Sequence, residues 1–361
     1  MASTGILSTD LATRLAARTL QLIDIASESG AERNISGHVL SVLREGGVPA
    51  HDAGDTCVLA GATHRSDRPL VLLAGHLDTV PAQDNLPGRL TGDEHVEGLG
   101  ASDMKGGVAV MLELALARPP SSVDVGYVLF GREELPAAQG ALGPLLARAA
   151  GLRSADLAVM LEPTANTVQA GCLGNIDADW TFRGRAGHSA RPWLADNAID
   201  RAVAAIRDLH AIGPSTSTID GLDFTQVVSA TMLHAGVARN VIPGTAHANV
   251  NFRYAPDVTP EQAERTLRCW CEPHGEIELL GNSPGALPPH ENPLLDRLLA
   301  AGGGPVAAKQ AWTPVAELTA AGVEAVNFGP GDPAFAHRSD ERVAIEELAR
   351  CHRTLEAFLC A

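Results

Sequence analysis

The chain has 361 residues, 45% of them hydrophobic, with a formal net charge of −16 and an isoelectric point near 5.2. That length favours two domains over a single core, and the acidic balance argues against binding to phosphate backbones or anionic lipid, which needs clustered Lys and Arg. No stretch reaches the roughly 18 apolar residues of a membrane-spanning helix, and the start lacks the basic-then-apolar pattern of a secretory leader, so a cytoplasmic protein with no nucleic-acid or membrane partner is expected.

Apolar spacing predicts helices over residues 11–25 and 35–43, the second stopping at Gly46-Gly47. The run 69–74 is apolar on both faces and ends at Gly75, which suits a strand buried inside a parallel sheet, with the polar cluster His76-Leu77-Asp78 directly at its end. The pattern then repeats: helix 106–117, strand 125–130 ending in Gly131-Arg132-Glu133-Glu134, helix 142–150, strand 157–161 ending in Glu162. Such alternation predicts an α/β sheet, whose ligands collect beyond the carboxyl ends of the strands.

From residue 176 to 283 the order changes to strand 177–183, helix 197–210, strands 226–233 and 245–253, helix 260–271 and strand 276–280, a β-α-β-β-α-β unit of ferredoxin-like type. A helix at 294–300, a strand at 325–328 and a helix from 343 then resume the first style. The expected architecture is a discontinuous α/β catalytic domain, residues 1–175 and 284–361, with a mixed, mainly parallel sheet flanked by helices. An inserted α+β lid domain is expected at 176–283. Six cysteines, at 57, 172, 269, 271, 351 and 360, lack the spacing of a zinc ribbon or the density of a disulfide scaffold, so reduced structural thiols are expected.

Several acids and histidines stand at the expected strand ends. His76 opens the first cluster, and Asp103, in Gly100-Ala101-Ser102-Asp103-Met104-Lys105-Gly106-Gly107, sits where a glycine-rich loop enters a helix. Adjacent Glu133 and Glu134 repel each other unless cations neutralise them. Glu162, and His337 in the segment 329–337, complete two histidines and three carboxylates beyond Glu133, which matches the N/O preference of a co-catalytic zinc pair with one carboxylate bridging. Glu133 is then left over, and a carboxylate beside metal-activated water but not itself a ligand is what a general base requires.

These blocks, with Ala74 to Pro81, 98–107, 160–164, Ala170-Gly171-Cys172, Gly187-His188-Ser189-Ala190, Arg239-Asn240-Val241-Ile242-Pro243 and 326–337, occur in order from about residue 70 to the C-terminus. In them the chain resembles the dinuclear zinc peptidases and deacylases, the family of aminoacylase, acetylornithine deacetylase, glutamate carboxypeptidase and, most like it, succinyl-diaminopimelate desuccinylase. The resemblance implies that His76 and Glu162 bind one zinc, Glu134 and His337 the other, and Asp103 both, with cobalt or manganese able to replace zinc. Asp78 would accept a hydrogen bond from the far nitrogen of His76. Glu133 would be the base and then the proton donor to the leaving amine. His188 would reach across a homodimer interface formed by the lids to stabilise the oxyanion. Asn240, Arg253, Thr313 and Gly331 would contact substrate, the planar fork of Arg253 suiting a carboxylate.

One segment departs from the desuccinylase pattern: in Trp312-Thr313-Pro314-Val315-Ala316-Glu317, Pro314 replaces an acid and Glu317 stands where related chains place a basic residue. Glu317 would repel an anionic acyl group if it faced the pocket, whereas on an exposed helix face it would change nothing. The reading is thus a metal-dependent amidohydrolase, desuccinylase-like, acting on an N-acyl amino acid. Another N-acyl or aminoacyl substrate, acyl transfer to an amine, and a non-catalytic metal-binding homologue stand as alternatives.

Overall fold

The computed structural model describes residues 10–92 and 94–361. The chain divides into two compact units. The first comprises the chain up to Ala170, Pro288–Ala307 and Glu317–Ala361, and the second comprises Gly171–Leu287 and Ala308–Ala316.

The first unit is built on an eight-stranded sheet in the order Ala50–Gly54, Cys57–Gly61, Asp124–Phe130, Leu70–His76, Leu157–Met160, Ala325–Asn327, Gln169–Ala170, Ala307–Ala308. Its four central strands, Asp124–Phe130 to Ala325–Asn327, run parallel, and antiparallel pairs flank them. Leu70–His76 is buried at all seven positions, as a strand covered on both faces must be, and its continuous apolar run is the sequence expression of that burial. The register sets His76 opposite Phe130 and Ala74 opposite Met160, so the chain leaves neighbouring strands at one edge of the sheet.

Helices Leu11–Ile23, Arg33–Glu45, Gly106–Ala117 and Ile345–Cys360 belong to this unit. Gly106–Ala117 is apolar nearly all round, the pattern of a helix enclosed on every side. Its one buried acid, Glu113, takes hydrogen bonds from Arg14 and Arg18. The edge strand Ala50–Gly54, its neighbour Cys57–Gly61 and the small sheet of Arg89–Thr91, His95–Glu97 and Arg342–Ala344 are additions to the predicted elements. The last of these strands delays the C-terminal helix to Ile345.

In the second unit a five-stranded antiparallel sheet has the order Ser215–Ile219, Leu222–Ala235, Thr245–Tyr254, Gly174–Arg183, Glu276–Ser283. Leaving out the first strand, this is the ferredoxin-like order 2-3-1-4 in chain sequence, with helices Ala198–His210 and Pro260–Cys271 between strands. Gly174–Arg183 alternates strictly, placing Ile176, Ala178, Trp180 and Phe182 in a core with Ala202, Ala205, Ala263 and Leu267 of the two helices. A capping box at Thr259 and Gln262 starts the second helix, and Asn197 caps the first. The extra strand, Ser215–Ile219, forms a hairpin with the start of Leu222–Ala235.

Candidate metal centre

All four parallel central strands deliver site residues at their carboxyl ends. His76 is the last residue of its strand and is buried. Glu133 and Glu134 follow Phe130, Glu162 follows Met160, and the loop carrying His337 follows Asn327. Asp103 comes from the glycine-rich loop, where Gly100 (φ +77°) makes the turn and a Cβ there would lie 2.9 Å from Thr79 Cγ2.

The two oxygens of Asp103 face different partners. Oδ1 lies 3.1 Å from His76 Nε2, which is itself 4.0 Å from Glu162 Oε1. Oδ2 lies 3.5 Å from His337 Nε2, which is 2.9 Å from Glu134 Oε1. One ligand atom from each of His76, Asp103 and Glu134 falls within 4.8 Å of the others. Four-coordinate zinc with bonds of about 2.0–2.2 Å separates its ligand atoms by about 3.3–3.6 Å, so these spacings, and the two-imidazole, three-carboxylate donor chemistry, fit a pair of divalent cations sharing Asp103.

Crowded charge governs the protonation of the group. Burial alone would lower His76, but the carboxylates of Asp103 and Asp78 prevail and hold it well above the usual imidazole range. Hydrogen bonds to Asp103 and Glu134 raise His337 to about 10, although its side chain is 49% exposed. Asp103, despite burial, is pulled far below the usual carboxylate range by the two histidines. Glu133 moves the other way: desolvation, reinforced by Glu162, Glu134 and Asp103, pushes it well above an ordinary glutamate.

Asp78 is fully buried and does more than the sequence suggests. The nearest acceptor to His76 Nδ1 is the backbone carbonyl of Asp78, at 3.0 Å, with its carboxylate at 3.5 Å. With Nδ1–H directed at that carbonyl, Nε2 is the nitrogen turned toward Asp103 and the one that would serve a cation. The carboxylate itself accepts from the backbone N–H of Glu133 (3.0 Å) and Glu134 (3.1 Å) and from Ser29 Oγ (2.7 Å), so it fixes the di-glutamate turn. Glu32, buried at the start of helix Arg33–Glu45, holds the same turn through Arg132 N–H. Sequence reasoning missed both Ser29 and Glu32, since neither stands in a cluster.

Gly331 lies in the first unit with φ +90°, where a Cβ would meet Ser102 Cα at 3.1 Å. Its N–H donates to Glu347 and its carbonyl accepts from Ala165, so both backbone groups already have partners. His188, Asn240, Arg253 and Thr313 lie in the second unit. There Gly187–His188 pairs with Val241–Ile242, Ser189 N–H donates to the Asn240 carbonyl, and exposed His188 accepts from Ala190 N–H through Nδ1. Arg253 donates through Nε to Asn251 and is pushed below an ordinary arginine by burial, with Asp177 opposing. The Thr313 hydroxyl is buried, beside the Cys172 thiol. Glu317, in the first unit, is half-buried beside Gly143 rather than on an exposed helix face, and burial pushes it up to about 7.

A parallel sheet whose strand ends converge on two histidines and a shared carboxylate defines a metallohydrolase-type centre. The chain belongs to peptidase family M20/M25/M40, whose profile matches residues 72–361. Membership makes it a hydrolase of amide or peptide bonds and implies a dinuclear metal site. It is 38% identical over 344 residues to a Mycobacterium tuberculosis protein provisionally named succinyl-diaminopimelate desuccinylase DapE, covering 94% of this chain and 96% of that one. It is 35% identical over 351 residues to the succinyl-diaminopimelate desuccinylase of Corynebacterium glutamicum, covering 94% and 95%. A metallo-carboxypeptidase of the M20 family from Sulfolobus solfataricus shares the fold at a TM-score of 0.78 and 16% identity, over 98% of this chain and 99% of that one. No helix among the described residues is long and apolar enough to cross a membrane.

Proposed function

We propose that the protein is a dizinc amidohydrolase that removes the acyl group of an N-acyl amino acid, with N-succinyl-LL-2,6-diaminopimelate as its substrate. The observation that carries this is the division of Asp103, one oxygen toward His76 and Glu162 and the other toward His337 and Glu134. The substrate rests on the names of the two relatives.

Two zinc ions, when bound, would polarise the scissile carbonyl and acidify water. His76, Glu162, Asp103, Glu134 and His337 would hold them. Glu133, raised by its surroundings, takes a proton from the attacking water and passes it to the departing amine nitrogen. His188 offers its Nε2 to the developing oxyanion, its Nδ1 being occupied by Ala190 N–H. Arg253, Asn240, Thr313 and Gly331 are assigned to substrate contact. For Gly331 that contact is steric, because its backbone groups are already engaged.

A homodimer through the second unit is part of the proposal. Val203 of helix Ala198–His210 and Val227, Met232 and Leu233 of strand Leu222–Ala235 are exposed, and residues 227–235 of that strand pair on one side only among the described residues. A second reading, an amide with a neutral or cationic acyl group, rests on the sequence departure at Pro314 and Glu317 alone, since the Glu317 carboxyl packs against Gly143.

The test is turnover of N-succinyl-, N-acetyl- and aminoacyl-diamino acids by zinc-loaded protein, with product analysis in the presence of a competing amine. Fastest release of succinate supports the desuccinylase reading, and preference for a neutral or cationic acyl group supports the second. Absence of amide cleavage with two zinc ions bound refutes both, and acyl transfer to the added amine in place of hydrolysis refutes the hydrolytic role.

A further inference from the structure

A second buried carboxylate does for Asp103 what Asp78 does for the di-glutamate turn. Glu341 is 1% exposed, and its side chain accepts three hydrogen bonds, all from backbone N–H groups of the loop that carries Asp103. Oε2 takes Gly100 N–H at 3.0 Å, and Oε1 takes Ser102 N–H at 3.0 Å and Asp103 N–H at 2.9 Å. The Glu341 carbonyl also accepts Gly98 N–H at 2.9 Å, so the loop is attached to this residue at both ends.

The loop needs such a partner. Asp103 (φ −122°, ψ 93°) and Met104 (φ −133°, ψ 38°) depart from helical geometry, so the N–H groups just before them do not enter a regular ladder. The Glu341 carboxyl offers both of its oxygens as acceptors to N–H groups converging at the entrance to helix Gly106–Ala117. Glu341 also follows His337 by four residues, and its N–H donates to Arg338. Asn85 braces the same junction, donating to the Arg338 carbonyl and accepting Leu99 N–H. Asp103, whose two oxygens face the two histidines, is therefore tied through its loop to Glu341, four residues beyond His337.

We infer that Glu341 is a positioning residue that fixes the Asp103 carboxylate between the two metal positions by clamping its loop to the His337 loop. This rests on the reading of Asp103 as the shared ligand. A residue of merely structural role would lower stability alike with and without metal. A positioning residue selectively weakens the metal-bound state, and outer-sphere partners of metal ligands typically change affinity roughly 10- to 100-fold.

The experiment measures zinc affinity by competition with a fluorescent chelator, and melting temperature with and without zinc, for the full chain and for Glu341→Gln, Glu113→Gln and Asp103→Ala. Glu341→Gln keeps one acceptor oxygen for three donors. It is expected to bind at least one zinc ion roughly 10- to 100-fold more weakly and to gain less melting temperature from zinc than wild type. Glu113→Gln, which disturbs a pair with Arg14 and Arg18 far along the same helix, is expected to melt lower in both states with zinc affinity unchanged. Unchanged affinity for both zinc ions in Glu341→Gln, with equal loss of melting temperature in both states, overturns the inference. Should that variant not fold, Glu341→Asp, which keeps the charge at shorter reach, is read by the same criteria. Wild-type binding of two zinc ions by Asp103→Ala would instead overturn the reading of Asp103 on which the inference stands.

Discussion

Replacing Glu317 by glutamine is expected to make the stability of this protein less sensitive to rising pH. The Glu317 carboxyl packs against the turn that begins helix Leu142–Arg148, with Gly143 N–H as its counterweight to burial, and it is pushed up to about 7. A Cβ at Gly143 would lie 2.9 Å from its Oε2, so the acid sits close against the backbone. In the unfolded chain a glutamate titrates near ~4.3. Because the folded state holds this proton more tightly, the stabilisation is complete below about pH 4.3 and is lost as pH rises through about 7. Integrated from about pH 5.5 to about pH 8.5, the difference is about 2 kcal/mol, reduced to ~1–2 kcal/mol by solvent at a half-buried carboxyl.

Urea unfolding of the wild type and Glu317→Gln at those two pH values, both loaded with zinc, measures the effect. Every other titrating group is common to both proteins. That includes Glu341, which burial also pushes up to about 7, so the gap between the proteins isolates Glu317. The expected result is that the variant gains on wild type by ~1–2 kcal/mol at the higher pH. A gap that does not change with pH refutes the burial argument. It would also remove the physical basis for treating Glu317 as anything other than an exposed surface acid.

Glu133→Gln, which keeps shape but cannot take a proton, is expected to lower kcat by roughly 10²- to 10⁴-fold, with metal content unchanged by elemental analysis. Loss of metal in that variant would make Glu133 a ligand instead of the base. Prolonged chelation is expected to abolish activity, with zinc or cobalt restoring it, and residual turnover in metal-free protein would contradict a metal-dependent mechanism. Asp78→Ala leaves the N–H groups of Glu133 and Glu134 without their acceptor, at ~1–3 kcal/mol for each, so a drop in unfolding free energy of a few kcal/mol is expected in urea titration. The double variant Val203→Glu, Leu233→Glu is expected to be monomeric by light scattering and inactive with its zinc retained. A fully active monomer would show that His188 does not act from a partner.

The strand ends were legible because their signal is local. A buried parallel strand reads as an unbroken apolar run, and the first polar residue after it has to emerge at the sheet edge. His76, Glu133, Glu134 and Glu162 follow directly from that rule. His337 does not, since it sits at φ +62° in an irregular loop, and it is marked as the second histidine of the donor set and by family resemblance rather than by a strand end. The strand Ser215–Ile219 escaped because Ser-Thr-Ser-Thr carries no apolar alternation, and pairing with residues 222–226 alone makes it a strand.

What the sequence by itself determined is the order of elements and the kinds of donor atom available, because chain periodicity and side-chain chemistry are written one residue at a time. Tertiary structure alone decided how those donors are shared and held. The division of the Asp103 oxygens is a contact between distant side chains, and the use of Asp78 to fix the Glu133-Glu134 turn and the clamp by Glu341, 238 residues away in sequence from the N–H it accepts, are contacts between side chains and distant backbone. Backbone N–H groups are the same at every non-proline position, so no residue pattern can announce which carboxylate will receive them until the fold brings the two together.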